Sequence, residues 1–248
     1  ETYPFGRQNL DSRNATRFNR REALAQYYAA VTEIDTYVGR LLDYLDTSGQ
    51  LDNTIVIYTS DHGLNCGHHG IWGKGNGTLP LNMVEESIRV TLIFYGPNHL
   101  FAGQRRGELG DHLDTFQTIL ALADITPPDR QYAGRSLWPL LTETGDCPPW
   151  RQQQFGEYGN VRMVRTNRYK LVRREPAGPH ELFDLTNDPR ERQNLFADPA
   201  CQTIVTALSQ AITAQFNQYE DPLKSGLNVC EQPRHNFTEA WREGGNTP

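Results

Sequence analysis

Residues 22–48 place Leu24, Tyr27, Tyr28, Val31, Ile34, Val38, Leu41, Leu42 and Leu45 at helical spacing. This predicts an amphipathic helix, with Gly49 as its stop. Thr54 to Thr59 follow as a short run rich in β-branched residues, continuous enough to predict a strand buried on both faces. A helix feeding such a strand points to an α/β fold. The segment from Ser60 to Pro80 is Gly-rich and has no periodicity, and Val90 to Tyr95 after it read as a second buried strand ended by Gly96-Pro97. Long loops inside compact domains tend to carry function.

Asp111 is placed to cap a further helix whose apolar face is Leu113, Phe116, Ile119, Leu120 and Leu122, stopped by Pro127-Pro128. From about residue 155 the pattern changes to half-polar strands. Val161–Arg165 and Tyr169–Arg173 flank Thr166-Asn167-Arg168 as a hairpin, and Glu181–Leu185 adds a strand. Asp198-Pro199 opens a last helix with Ile204, Val205, Leu208, Ile212 and Phe216 on one face, and the tail from Asp221 is polar and irregular. The expected domains are therefore an α/β part over residues 1–150 and a small antiparallel sheet with a packed helix over 151–248.

Length and charge narrow the function classes. A chain of 248 residues supports one sizeable core or a main core with an added layer. The formal charge of −6 invites neither nucleic acid nor an anionic membrane, and no stretch approaches the ~20 apolar residues of a membrane span. An anionic substrate would need a local positive site. Cys66, Cys147, Cys201 and Cys230 are widely spaced, with no CxxC pair. Asn14, Asn76 and Asn236 head glycosylation-type triplets that arise easily by chance.

The candidate chemistry lies directly after the first strand, in Ser60-Asp61-His62-Gly63-Leu64-Asn65-Cys66-Gly67-His68-His69-Gly70-Ile71-Trp72-Gly73-Lys74-Gly75. Ligands of open α/β sheets bind at the carboxyl ends of strands. There Asp61 and His62 could share a divalent cation, and the glycines allow tight turns. Each member also has a plain reading: Asp61 in a turn bonding the backbone, His68-His69 as a partly exposed pair, Lys74 as a solvated charge.

SDHG followed by GHHGIWGKG closely resembles the second metal-binding motif of sulfatases, members of the alkaline phosphatase superfamily. The resemblance extends along the chain. Tyr27–Asp35 with Val38-Gly39-Arg40 looks like the helix before that strand, and Glu85–Val90 with Leu92-Ile93 like the next strand. Gly134–Leu141, Arg165–Leu171 and Glu181–Pro189 are similar to later family segments, so the match covers roughly residues 22–200 in family order. It implies an alkaline-phosphatase-like α/β sandwich, partial and mostly parallel, with a C-terminal antiparallel sheet. It implies metal ligation by Asp61 and His62, a sulfate donor in Lys74, and a second contact near the leaving oxygen in His69.

Further expectations come with the resemblance. The metal is most often Ca2+, with Mn2+ or Zn2+ the lesser alternatives that an imidazole ligand would suit. The family's nucleophile is a formylglycine made from cysteine in a C-x-P-x-R motif, which belongs to a preceding half together with two more aspartates. Cys147-Pro148-Pro149-Trp150-Arg151 fits that motif by letter, but it lies after the second motif in a Pro-rich linker and is read as linker. The chain is thus expected to be a fragment, or one chain of an enzyme completed by an N-terminal sulfatase chain, and inactive alone on its sulfate ester. The alternatives are a phosphonate monoester or phosphodiester hydrolase of the same superfamily and a non-catalytic binding fragment. The compartment stays open, although sulfatases are often exported or lysosomal.

Overall fold

The computed structural model describes residues 20–78, 80–129, 131–142 and 149–229. They form two compact units, one running to Ala102 and the other from Gly103.

The first unit opens with helix α1 (Arg20–Thr47). Gly49, at φ 70°, ends it as expected: the left-handed turn lets the Gln50 N–H reach back to the Leu45 carbonyl at 2.8 Å. Its apolar stripe is not buried, however. Tyr28, Ile34 and Leu41 are each about half exposed or more, at 63%, 49% and 52%. Periodicity specifies a face; it does not supply the surface that covers it.

Strand β1 (Val56–Thr59), helix α2 (Glu85–Ile88) and strand β2 (Leu92–Tyr95) complete this unit. Two expectations are corrected here. The strands pair antiparallel, with Thr59 opposite Leu92 and Val56 opposite Tyr95, where a mostly parallel sheet was expected. The intervening loop closes on itself, the Gly63 N–H donating to the Ser87 carbonyl at 2.9 Å, so the chain re-enters the sheet beside the point where it left. Nor are the strands buried on both faces, because Tyr58, Ile93 and Tyr95 on one face are exposed. Glu85 to Ile88 form a helical turn, and the strand expected from Val90 starts at Leu92.

In the second unit, α3 (His112–Leu122) carries a complete capping box: Asp111 accepts from the Leu113 and Asp114 amides, and Asp114 accepts from the Asp111 amide at 2.9 Å. The helix is inverted relative to its sequence pattern. Leu113, Phe116 and Ile119 are exposed, while Asp114 and Thr118 are fully buried. These two polar residues receive the segment leading into α4 (Trp138–Leu141): Asp114 accepts from the Arg135 amide at 2.8 Å and Thr118 from the Leu137 amide at 2.8 Å. A Cβ on Gly134 would lie 2.3 Å from the Leu113 carbonyl, so this approach requires glycine. Arg151 pairs with Asp114 and lies 3.8 Å from Asp111, and Trp150 Nε1–H donates to the Leu109 carbonyl at 2.7 Å. Arg151, read as a linker residue, is an anchor. Cys147 lies outside the described residues.

The sheet of this unit has strands β3 (Gln154–Tyr158), β4 (Val161–Arg165), β5 (Tyr169–Arg174) and β6 (Glu181–Asp184), antiparallel in that order. The hairpin and third strand stand where the sequence placed them, and β3 is an addition. Helix α5 (Gln202–Tyr219) lays Val205, Leu208 and Ile212 on Val164, Leu171 and Leu182 to make the core. Asp198 accepts from the Ala200 amide at 2.9 Å, opening a short turn before α5 as the Asp-Pro signal implied. The tail beyond Val229 lies outside the described residues, as do Asn14 and Asn236. No described helix is long and apolar enough to cross a membrane.

Candidate functional site

The loop from Ser60 to Thr78 leaves the carboxyl end of β1, and its order comes from hydrogen bonds. Asn65, fully buried, donates its side-chain amide to the Gly73 carbonyl at 2.9 Å and to Ser87 Oγ at 2.7 Å. Ser87 in turn donates to Asn82 Oδ1 at 2.7 Å, and Asn82 Nδ2 donates to the carbonyls of Lys74 and Gly75 and to Thr78 Oγ1. A connected buried network of this kind fixes one backbone path, because any other would strand its polar atoms. Both ends of the motif are therefore tied to α2.

Glycine is required at Gly63, where a Cβ would stand 2.0 Å from the Glu86 carbonyl oxygen. At Gly67, φ 92°, the backbone crosses the Trp72 ring, which is 7% exposed. Trp72 thus serves as packing under the loop. Asn76-Gly77-Thr78, one of the glycosylation-type triplets, is unsuited to that role because Gly77 and Thr78 are buried.

Three of the four expected site residues come together. Lys74 Nζ is 2.7 Å from His62 Nε2, and Asp61 Oδ2 is 3.5 Å from the same nitrogen. An ammonium can only donate, so Nε2 accepts and Nδ1–H donates to the Gly63 carbonyl at 2.9 Å. That tautomer gives the Nε2 lone pair to Lys74, on the nitrogen that also lies nearest the Asp61 carboxylate. The spacing fits a shared divalent cation, since two ligand atoms ~2.4 Å from an ion and at right angles lie ~3.4 Å apart. The Asp61 side chain is largely exposed and His62 half-buried, so the pair faces outward with room for further ligands.

His69 is held elsewhere. Among the described residues it has no hydrogen bond to Asp61, His62 or Lys74; its Nε2 is 2.9 Å from Glu86 Oε2, and His68 Nδ1 lies 3.2 Å from Glu86 Oε1. The His69 hydrogen bond holds the Glu86 carboxyl down at about 2, against burial that opposes it. Sequence reasoning missed Glu86, Asn65, Asn82 and Ser87. The only signal for Glu86 was its place beside Glu85 in the segment read as a strand. Cys66, at φ 48°, is a half-buried free thiol whose pKa burial pushes up.

Comparisons with known proteins bear on the family and the fold. The chain is similar to an N-acetylglucosamine-6-O-sulfatase of Bacteroides thetaiotaomicron, 32% identical over 209 residues that make up 80% of this chain and 36% of the relative. Among solved structures it is similar to BT4656 in complex with its substrate D-glucosamine-2-N,6-O-disulfate, at a TM-score of 0.69 and 32% identity, covering 80% of this chain and 42% of that one. It is also similar to a phosphonate monoester hydrolase of Agrobacterium radiobacter, at a TM-score of 0.69 and 28% identity, covering 77% and 40%. The chain spans about two fifths of the length of these proteins. Its α/β architecture is that of the alkaline-phosphatase-like sulfatases, as the sequence implied. The sulfatase family model matches residues 1–125 and that of the N-sulphoglucosamine sulphohydrolase C-terminal region matches 67–218, and the chain belongs to the sulfatase family.

Proposed function

We propose that this chain supplies part of the active site of a metal-dependent sulfuric ester hydrolase. The observation that carries the reading is the convergence of Asp61 Oδ2, His62 Nε2 and Lys74 Nζ at the end of β1. Asp61 and His62 are the metal ligands, Lys74 binds a sulfuryl oxygen, and His69 meets the leaving oxygen. A divalent cation bound there, Ca2+ by the family resemblance, would draw charge from the sulfuryl oxygens. Lys74 adds a positive charge on a flexible four-carbon stem, its backbone carbonyl held by Asn82. His69 is assigned the proton donor or acceptor at that oxygen.

The remaining ligands and the formylglycine nucleophile are proposed to come from sequence preceding the helix, on the same or a partner chain. Residues 1–150 would then belong to the catalytic domain and 151–248 to a supporting subdomain. The substrate class is a sulfate ester, and the sulfated glucosamine bound by BT4656 makes sulfated amino sugars the first to try. The likeness to a phosphonate monoester hydrolase favours one second reading, hydrolysis of phosphonate monoesters or phosphodiesters.

The test is hydrolysis of 4-nitrophenyl sulfate beside a 4-nitrophenyl phosphonate monoester by the enzyme carrying its nucleophile segment, with and without Ca2+. Preference for the sulfate, lost in Asp61→Ala and Lys74→Ala, is the expected result. Preference for the phosphonate gives the second reading, and activity toward neither leaves a binding fragment. Sulfatase activity that survives both substitutions overturns the site assignment.

A further inference from the structure

After β6 the segment Arg190-Glu191-Arg192 alternates between core and solvent. Glu191 is buried, and its carboxylate pairs with the ammonium of Lys170 on β5, both side chains shielded from solvent. Such a pair holds its place, because either charge left alone in the interior would be costly. Glu191 takes φ 51°, a left-handed bend that an L-residue adopts only under constraint, and its N–H donates to the Asp188 carbonyl at 3.1 Å. With Glu191 drawn inward, Arg190 and Arg192 on either side are exposed. Neither guanidinium has an ion pair or hydrogen bond among the described residues.

The neighbouring acids are turned to other partners. Asp188 accepts from the Arg192 amide at 2.6 Å and the Gln193 amide at 2.8 Å. Asp184 accepts from Arg168 Nη2 at 2.9 Å and from Asn187 Nδ2 at 3.0 Å. Arg168, at the turn between β4 and β5, is itself more than half exposed and lies 4.7 Å over the Tyr169 ring. That turn is tied to the segment after β6: the Leu185 N–H donates to the Arg168 carbonyl at 2.7 Å, and the Asp188 N–H to the Asp184 carbonyl at 2.7 Å. Arg168, Arg190 and Arg192 thus stand along one hydrogen-bonded stretch of surface, with Asn167 and Gln193 exposed beside them.

What the surface lacks defines its partner. Between residues 159 and 218 no large apolar or aromatic side chain is exposed. A protein or membrane anchored by apolar burial finds no hold there, nor do nucleic-acid bases that need a ring to stack on. A hydrated polyanion does, since guanidinium groups bind oxyanions through paired N–H donors and amides serve hydroxyl groups. We propose that this surface binds sulfated polysaccharide chains, through sulfate groups other than the one hydrolysed. The inference rests on the sulfuric ester reading for the choice of sulfate, and adds to it a polymer and a binding surface. The formal charge of −6 gives the chain no general attraction for polyanions, so the binding is local to these arginines.

The probe is heparin, titrated into the full chain by calorimetry at low and at physiological salt. The double variant Arg190→Gln, Arg192→Gln removes two exposed charges that hold no other residue, so its unfolding temperature should match that of the wild type. Its affinity for heparin is expected to fall about tenfold at low salt, within the range of two exposed ion pairs. The affinity that remains should depend less on salt. Hydrolysis of 4-nitrophenyl sulfate should be unchanged.

Equal heparin affinity in the two proteins overturns the proposal. So does wild-type binding as tight to unsulfated hyaluronan, to a thymidine oligomer or to phosphatidylserine vesicles, which would make the surface one for carboxylates, nucleic acid or membrane instead. If the enzyme cleaves no sulfate ester while heparin binding still falls in the double variant, the function reading fails and the surface assignment stands.

Discussion

Lys74 Nζ lies 2.7 Å from His62 Nε2, so the ammonium assigned to the sulfate sits on the lone pair assigned to the cation. The two roles compete for one nitrogen until a cation binds. Replacing Lys74 with Met removes a positive charge a few ångströms from the cation, an effect of about 1 kcal/mol in water. Lys74→Met should therefore bind Ca2+ about fivefold more tightly by calorimetry while hydrolysis is lost. Weaker Ca2+ binding in Lys74→Met would count against ligation through His62 Nε2.

Asn82 is 1% exposed and bridges Ser87, Thr78 and the carbonyls of Lys74 and Gly75. Asn82→Ala strands several buried partners, each worth about 1–3 kcal/mol. A loss of about 2 kcal/mol or more is expected in urea unfolding, together with a raised KM for sulfate esters because the Lys74 backbone is released. A change near zero would show that the loop is fixed by other means.

Stability at low pH should depend on Glu86. Its pKa in the fold is about 2, below the ordinary 4.5, because His69 donates to it. A depressed pKa gives stability that is present above the unfolded value and is lost as pH falls from 4.5 toward 2. Acid titration of unfolding free energy should show this loss in the wild type and a flatter curve for Glu86→Gln. Parallel curves for the two proteins would contradict the pairing.

Arg151 neutralises Asp114, a carboxylate with no exposed surface. Arg151→Met leaves that charge with backbone donors alone and should cost about 3 kcal/mol, as removal of one partner of a buried pair does. Thermal unfolding measures it. Cys147→Ser, at the letter match to the nucleophile motif, should leave hydrolysis unchanged. Loss of activity there would reverse the linker reading.

Local signals were legible where a single residue type enforces a local geometry. Gly49 and Asp111 mark helix ends because a left-handed turn and a capping box are written in adjacent residues. The 161–174 hairpin was legible for the same reason. Burial was not, and α3 shows why: its apolar positions predict a core face, yet the helix turns Asp114 and Thr118 inward because Arg151 and the Arg135–Leu137 backbone satisfy them. Partners from distant sequence decide that choice.

By itself the sequence determined which family the chain joins, and it named residues 60–75, with Asp61, His62, His69 and Lys74, as the candidates for its chemistry. The glycines and the order of the motif leave few other backbone paths. Only the tertiary structure decided how these residues divide. It set Lys74 against His62 and gave His69 to Glu86, a residue 17 positions away on another element. Those pairings depend on where α2 packs, and α2 is placed by Asn65, Asn82 and Ser87, whose hydrogen bonds span the loop and leave no periodic trace in the chain.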